Sequence, residues 1–127
     1  MRAVMDIERQ LGYSPRDVSA EKVGYDIEST IPLELRQPDS ASLRFIEVKG
    51  RAAGARTVTV SKNEILTALN KPEEYILALV EVDDERCQTR YLRSPFKQQP
   101  DFASTGVIYS IAELLNTAEL ILEQGNH

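Results

Sequence analysis

Three side chains have the types and spacing to act on a phosphate: Asp26 in the run VGYDIESTI, and Glu47 and Lys49 in the run LRFIEVKG. If both runs are strands, successive side chains alternate between faces. Phe45, Glu47 and Lys49 then share one face and Ile46 and Val48 the other, while Asp26 and Glu28 lie opposite Tyr25 and Ile27. Pairing the two strands brings Asp26 up to Glu47 and Lys49. Two carboxylates held together without a cation raise the pKa of at least one of them. A divalent metal resolves that repulsion, and hard oxygen ligands suit Mg²⁺ or Mn²⁺. The lysine can then orient or deprotonate the attacking water and stabilise charge building on a phosphate oxygen. The spacing by itself is weak evidence. An exposed Glu–Lys pair on a strand face, worth under ~1 kcal/mol, has the same pattern.

Composition removes the competing chemistries. The chain has 127 residues, the size of one domain, and 42% of them are hydrophobic, enough for a core without staples. Its one cysteine, Cys87, leaves no intramolecular disulfide and no multi-cysteine metal site. Its one histidine, His127, is the last residue, where chains usually fray, which argues against histidine as base, shuttle or ligand. Ser–His–Asp and Cys–His systems go with it. No apolar run approaches the ~20 residues of a membrane span, and the N-terminus has no signal-peptide core. With the unpaired cysteine, this reads as a soluble cytoplasmic domain that uses no membrane.

The net charge of −5 argues weakly against sequence-blind nucleic-acid binding. The charges are nonetheless segregated. Residues 44–62 carry Arg44, Lys49, Arg51, Arg56 and Lys62 against Glu47 alone, and residues 86–97 carry Arg86, Arg90, Arg93 and Lys97 with no acid at all. A solvated face can have the same composition.

The elements that must position these groups follow from periodicity and punctuation. Val4, Ile7 and Leu11 predict a helix over 2–12 that ends at Gly12. It lacks a capping residue, which suggests that more protein normally precedes it, although a native start is compatible. Strands are expected at 23–31, 43–50 and 57–60, the first entered through a polar loop at Ser14-Pro15. Ser61-Lys62-Asn63-Glu64 is a capping box, with Val60 and Ile65 as its staple, so a helix spans 62–70. The nearly continuous apolar run 75–82 suits a central strand buried on both faces, and 88–93 one more strand. A second capping box at Ser110-Ile111-Ala112-Glu113 opens a last helix striped by Ile111, Leu114, Leu115, Ala118 and Leu122. The expected fold class is mixed α/β around a small sheet.

That order, with those residues, resembles the PD-(D/E)XK nuclease superfamily, and more closely the domain named after the C-terminus of the plant NO VEIN protein. The resemblance rests on Gly24-Tyr25-Asp26-Ile27, on Ile46-Glu47-Val48-Lys49-Gly50-Arg51, and on Asn63-Glu64 with Ala68, and it covers roughly residues 5–85. It implies a restriction-endonuclease-like fold with an α-β-β-β-α-β core at about 2–85 and a C-terminal strand and helix at about 86–127. It also implies a Mg²⁺-dependent phosphodiesterase site, with Asp26 and Glu47 binding metal (Mg²⁺ or Mn²⁺) and Lys49 assisting the water. Glu8 matches the acid such folds place on the first helix, although a flanking surface acid fits equally well. Domains of this kind often sit at the end of helicase-like ATPases, some tied to defence against foreign DNA, and nucleases of the fold often dimerise.

Other residues keep two readings. Asn63 and Glu64 cap a helix, yet a helix N-terminus can also face a phosphate. Arg51, Arg56 and Lys62 suit either a nucleic-acid backbone or solubility. Arg90, Arg93 and Lys97 are similar, with Tyr91 and Phe96 as stacking partners or as core. A Schiff-base role for Lys49 has no supporting sugar-phosphate loop. Two functions therefore stand: a metal-dependent DNA nuclease domain, or a silent module that binds nucleic acid or protein for a neighbouring motor.

Overall fold

The computed structural model describes residues 1–126; His127, expected to fray, lies outside the described residues. The first helix, α1 (Arg2–Gln10), forms because Val4 and Ile7 fall on one face and are buried. Three strands follow: β1 (Ser14–Asp17), β2 (Ile27–Thr30) and β3 (Leu43–Ala52). Next come β4 (Thr57–Ser61) and α2 (Lys62–Asn70), then β5 (Tyr75–Asp83) and β6 (Arg86–Arg93). The chain ends with β7 (Gly106–Ser110), α3 (Ile111–Thr117) and β8 (Glu119–Asn126). A mixed α/β fold is thus what the sequence adopts. Among the described residues no helix is long and apolar enough to cross a membrane.

A six-stranded sheet in the order β1-β2-β3-β5-β6-β8 divides the molecule. Its strands run antiparallel except β3 and β5, which are parallel and joined by a crossover through β4 and α2. On one face α1 delivers Val4 and Ile7 onto Ile27, Ile46, Ile76, Ala78 and Tyr91. On the other, α2, α3 and the β4–β7 ribbon cover Tyr75, Leu77, Leu79 and Leu92. The apolar run of β5 is explained by this arrangement, because its side chains supply both cores alternately. Tyr91 and Phe96 are core residues, at 0% and 4% exposure, and are not free to stack on a ligand.

Four expectations need correction. The strand expected at 23–31 begins at Ile27, and the preceding residues are bent, so Tyr25 and Ile27 do not share a face. Tyr25 stacks on Phe45 whereas Ile27 enters the α1-side core. The segment at Ser14-Pro15 is the edge strand β1, where a proline costs no ladder bond. Strand β4 lies outside the main sheet and pairs only with β7, in a separate ribbon.

The fourth correction concerns the C-terminus. The last helix stops at Thr117, and Leu122 belongs to strand β8. Ser110 does cap the helix by accepting from the Glu113 amide, as the sequence suggested. Beyond it, however, the segment satisfies its backbone along the open edge of β6, from Glu119 opposite Arg93 to Asn126 opposite Cys87. A register slip at Tyr91/Leu92 leaves Ile121 as the extra residue, and Ile121 and Leu122 both pack against the α1-side core. Tertiary pairing here overrides helical periodicity.

Buried within the α1 side is an ion pair. Glu8, fully buried, accepts from Arg44 Nε at 2.9 Å and Nη2 at 3.2 Å, and from the Tyr91 hydroxyl at 2.8 Å. Removing one member of such a pair strands the other charge out of water, at a cost of about 3–5 kcal/mol. Glu8→Ala should therefore lower the unfolding free energy by about 3 kcal/mol or more. Denaturant unfolding of the single variants and of Glu8→Ala/Arg44→Met should show that the double variant recovers much of the loss; additive losses would refute the coupling.

Candidate functional site

The site is built where β3 passes the N-terminus of α2. Side chains of β3 alternate as the sequence requires: Ile46 enters the α1-side core, while Phe45, Glu47 and Lys49 face α2. Helix α2 opens with a full capping box. Ser61 Oγ accepts from the Glu64 amide at 3.1 Å, and Glu64 Oε1 accepts from the Ser61 amide at 2.9 Å. That same oxygen accepts from Lys49 Nζ at 2.8 Å, and Lys49 Nζ lies 3.0 Å from Glu47 Oε2. One ammonium thus spans two carboxylates from different elements.

Asp26 arrives from the bend before β2 and is fixed by three hydrogen bonds. Its amide donates to the Ile46 carbonyl at 2.9 Å, its carbonyl accepts from Val18 N–H at 2.8 Å, and its Oδ2 accepts from the Val48 amide at 2.9 Å. The last bond sets its carboxylate against β3 between the positions of Glu47 and Lys49. Gly24 makes this approach possible. It has φ +93°, and a Cβ there would collide with the Thr67 side chain on α2.

Asp26, Glu47, Glu64 and Asn63 line one cleft of about 220 Å³, with Lys22 at its side. Glu47 is 3% exposed. Burial, and then a hydrogen bond to Glu64 that its neutral form makes, push its carboxyl up to about 9; the charges of Glu64 and Asp26 add to this and Lys49 opposes it. Burial alone also pushes Glu64 up, but hydrogen bonds from Lys49, Glu47 and the Ser61 amide outweigh it and hold that carboxyl below its usual range. For Lys49 burial pulls downward, and its contacts with Glu64 and Glu47 more than compensate, so it stays charged. Nearby, the Tyr75 hydroxyl is buried with no hydrogen-bond partner among the described residues. Burial raises its pKa, and Glu47, Glu64 and Asp26 raise it further.

This donor set fits a hard divalent cation of the Mg²⁺ kind, held through few protein ligands. Among the described residues no group of three or more His, Cys, Asp or Glu is placed to hold a metal. Mg²⁺, however, commonly keeps several waters and binds proteins through one or two carboxylates plus phosphate oxygens. Asp26 and Glu47 would be that pair. Asp26, Glu47 and Glu64 stand against Lys49 and, at the side of the cleft, Lys22.

The other sequence candidates fall elsewhere. Glu8 is on the opposite face of the sheet, satisfied by Arg44 and Tyr91, and is not brought to Asp26 and Glu47. Arg51 and Arg56 are exposed and do not line the cleft. Lys62 donates to the Phe102 carbonyl at 2.8 Å, and Arg90 is paired with Glu123 and Glu81. Glu64, read from the sequence as a capping residue at a helix N-terminus that can also face a phosphate, is in addition the partner of Lys49. Its motif was visible, but its second contact, with Lys49, depends on the crossover between β3 and α2.

Two outcomes follow from this geometry. Gly24→Ala should cost roughly 2–4 kcal/mol, because it adds left-handed strain to a steric clash, and a denaturant midpoint unchanged from wild type would refute it. The pH dependence has a definite sign. A carboxyl whose folded pKa lies above its unfolded value of 4.5 binds its proton more tightly when folded. Its contribution to stability is complete below about pH 4.5 and is lost as pH rises towards about 9. In chelator-treated buffer, Glu47→Gln should therefore gain stability relative to wild type across that window. Parallel pH curves for the two proteins would exclude it.

A comparison with curated proteins finds no match. The family described as Protein NO VEIN, C-terminal matches residues 1–92, which take in α1, the whole of the cleft and β3 to β5. With close to three-quarters of its length matched, the chain belongs to the NO VEIN C-terminal family.

Proposed function

We propose that this chain is a Mg²⁺-dependent nuclease domain of the PD-(D/E)XK kind, hydrolysing DNA phosphodiester bonds, working in the cytoplasm and attached to a helicase-like ATPase. The observation that carries the reading is the meeting of Asp26 and Glu47 at one cleft, from two segments of the chain, with Lys49 Nζ 3.0 Å from Glu47. The parallel β3–β5 pair with its helical crossover is compatible with a restriction-endonuclease-like core. Strand β4, which leaves the main sheet, departs from the simple α-β-β-β-α-β order.

In this reading Asp26 and Glu47 hold the cation, which when bound would neutralise them, polarise the phosphate and make water a better nucleophile. The proton that Glu47 shares with Glu64 must leave for this to happen, so metal binding releases a proton and strengthens with pH. Lys49 keeps its charge in the folded protein and therefore acts as a fixed cation rather than a base. It stabilises negative charge developing on the phosphate and helps orient the attacking water. Glu64 holds the Lys49 ammonium in place and, through the capping box, ties that position to the start of α2.

A second reading has its own support. Lys49 is already clamped by two carboxylates, and the chain carries a net charge of −5. A silent module that positions nucleic acid or a partner protein would need neither metal nor turnover.

Calorimetric titration with Mn²⁺ at neutral pH separates the two. The nuclease reading expects saturable binding by wild type that Glu47→Ala abolishes. Asp26→Ala and Glu47→Ala should end cleavage of DNA while the proteins stay folded, and Lys49→Ala should slow it by about 10²–10³. Cleavage surviving both carboxylate substitutions would sink the proposal. Salt-sensitive DNA binding without metal uptake, weakened by neutralising the exposed Arg51 and Arg56, would favour the module.

A further inference from the structure

Beside the acidic cleft runs a second concavity, of about 610 Å³, lined by Val23, Tyr25, Phe45 and Leu66 with Asn70 and Lys71 among its polar groups. Its size falls within the roughly 300–1,000 Å³ usual for ligand sites. Tyr25 and Phe45 stack in it with ring centroids 4.5 Å apart and planes 19° from parallel. Neither ring is fully buried. Val23 and Leu66 are exposed to 41% and 39%, apolar side chains left in water on facing elements.

The groove and the cleft share one wall residue. Tyr25 lines both, and its neighbour in the chain, Asp26, carries a carboxylate of the site. A nucleotide whose phosphate lies in the cleft therefore has an aromatic, partly apolar surface within reach of its base. We propose that this groove stacks an unpaired nucleobase next to the cleaved phosphate, so that the substrate is single-stranded nucleic acid or a strand end, not a continuous duplex. This rests on the nuclease reading above and adds the substrate class to it.

The physical case is specific. Within a continuous duplex both faces of each internal base are already stacked, so a groove of aromatic rings beside the phosphate site offers it nothing without extrusion. A single strand presents free π-faces, and base–aromatic stacking accepts any base. Asn70 brings an amide that can bond base edges, and Lys71 an ammonium for a neighbouring phosphate. With stacking and a few cations supplying affinity, a chain of net charge −5 has no need of the broad basic surface that duplex binding demands.

The test uses the full chain and a short oligonucleotide carrying one 2-aminopurine, as a single strand and as a duplex closed at both ends by non-nucleotide linkers. Its fluorescence is followed in metal-free buffer, and cleavage is followed separately with Mn²⁺. Wild type and Tyr25→Phe should quench the single strand, whereas Tyr25→Leu and Leu66→Glu should bind it about 10-fold more weakly. Leu66 is exposed, so its variant keeps the test valid if Tyr25→Leu fails to fold. In the cleavage assay both groove variants should raise KM for the single strand more than they lower kcat. Absence of quenching by wild type, equal affinity for the single strand and the closed duplex, or undiminished binding by both variants would overturn the groove. Quenching without any cleavage would leave the groove standing and remove the nuclease reading, whereas cleavage indifferent to both groove substitutions would do the reverse.

Discussion

A single ammonium holds the centre of this molecule together. Lys49 Nζ lies 3.0 Å from Glu47 and 2.8 Å from Glu64, and so joins the middle of β3 to the first turn of α2. The crossover between the parallel strands β3 and β5 contains α2, so that contact also fixes where the crossover begins relative to the sheet. Glu64 is bound twice over, since the oxygen that accepts from Lys49 also accepts from the Ser61 amide. Helix capping and site assembly are thus one interaction. The same junction brings Thr67 against Gly24, and Gly24 in turn lets Tyr25 and Asp26 reach β3.

Such a cluster is costly to bury and gains most where the charges match. Here they do not. Glu47 and Glu64 share one lysine and one proton, and Asp26 adds a further charge beside them. A backbone amide, that of Val48, holds Asp26 in place without neutralising it. A stabilising buried pair needs its remaining lone pairs satisfied, and the cation of the proposed function would supply what is missing here.

Much of this was legible in the sequence, for identifiable reasons. The alternation in LRFIEVKG placed Glu47 and Lys49 on one face because β3 is a true strand, where parity is strict. The capping box at Ser61–Glu64 fixed the start of α2 to the residue. The run 75–82 marked the central strand because both faces of β5 are covered. Parity misled at residues 23–26, where the chain bends and Gly24 takes a left-handed conformation, so Asp26 reaches β3 by a route no alternation rule describes. Helical periodicity misled at Leu122, because the open edge of β6 is a feature of the assembled sheet and leaves no trace in residues 119–126. The groove beside the cleft was invisible for a similar reason. Tyr91 and Phe96 stood in a basic run and drew notice, while Tyr25 and Phe45 acquire their shared surface only when β2 and β3 pair.

Glu8 and Glu47 make the functional argument by contrast. Both carboxylates are buried in the same small domain, on opposite faces of the same sheet. Glu8 meets a two-pronged guanidinium and a tyrosine hydroxyl, so its charge is matched and its oxygens are filled. Sequence resemblance alone cannot separate it from a catalytic acid on a first helix; its partners do. Glu47 meets one shared ammonium and two other carboxylates, and takes up a proton to remain there. A buried acid with complete partners is accounted for by the fold that encloses it. One left short of positive charge, at the wall of a cleft, points to a ligand that completes it, and in this chain that distinction separates the structural carboxylate from the one at the proposed centre.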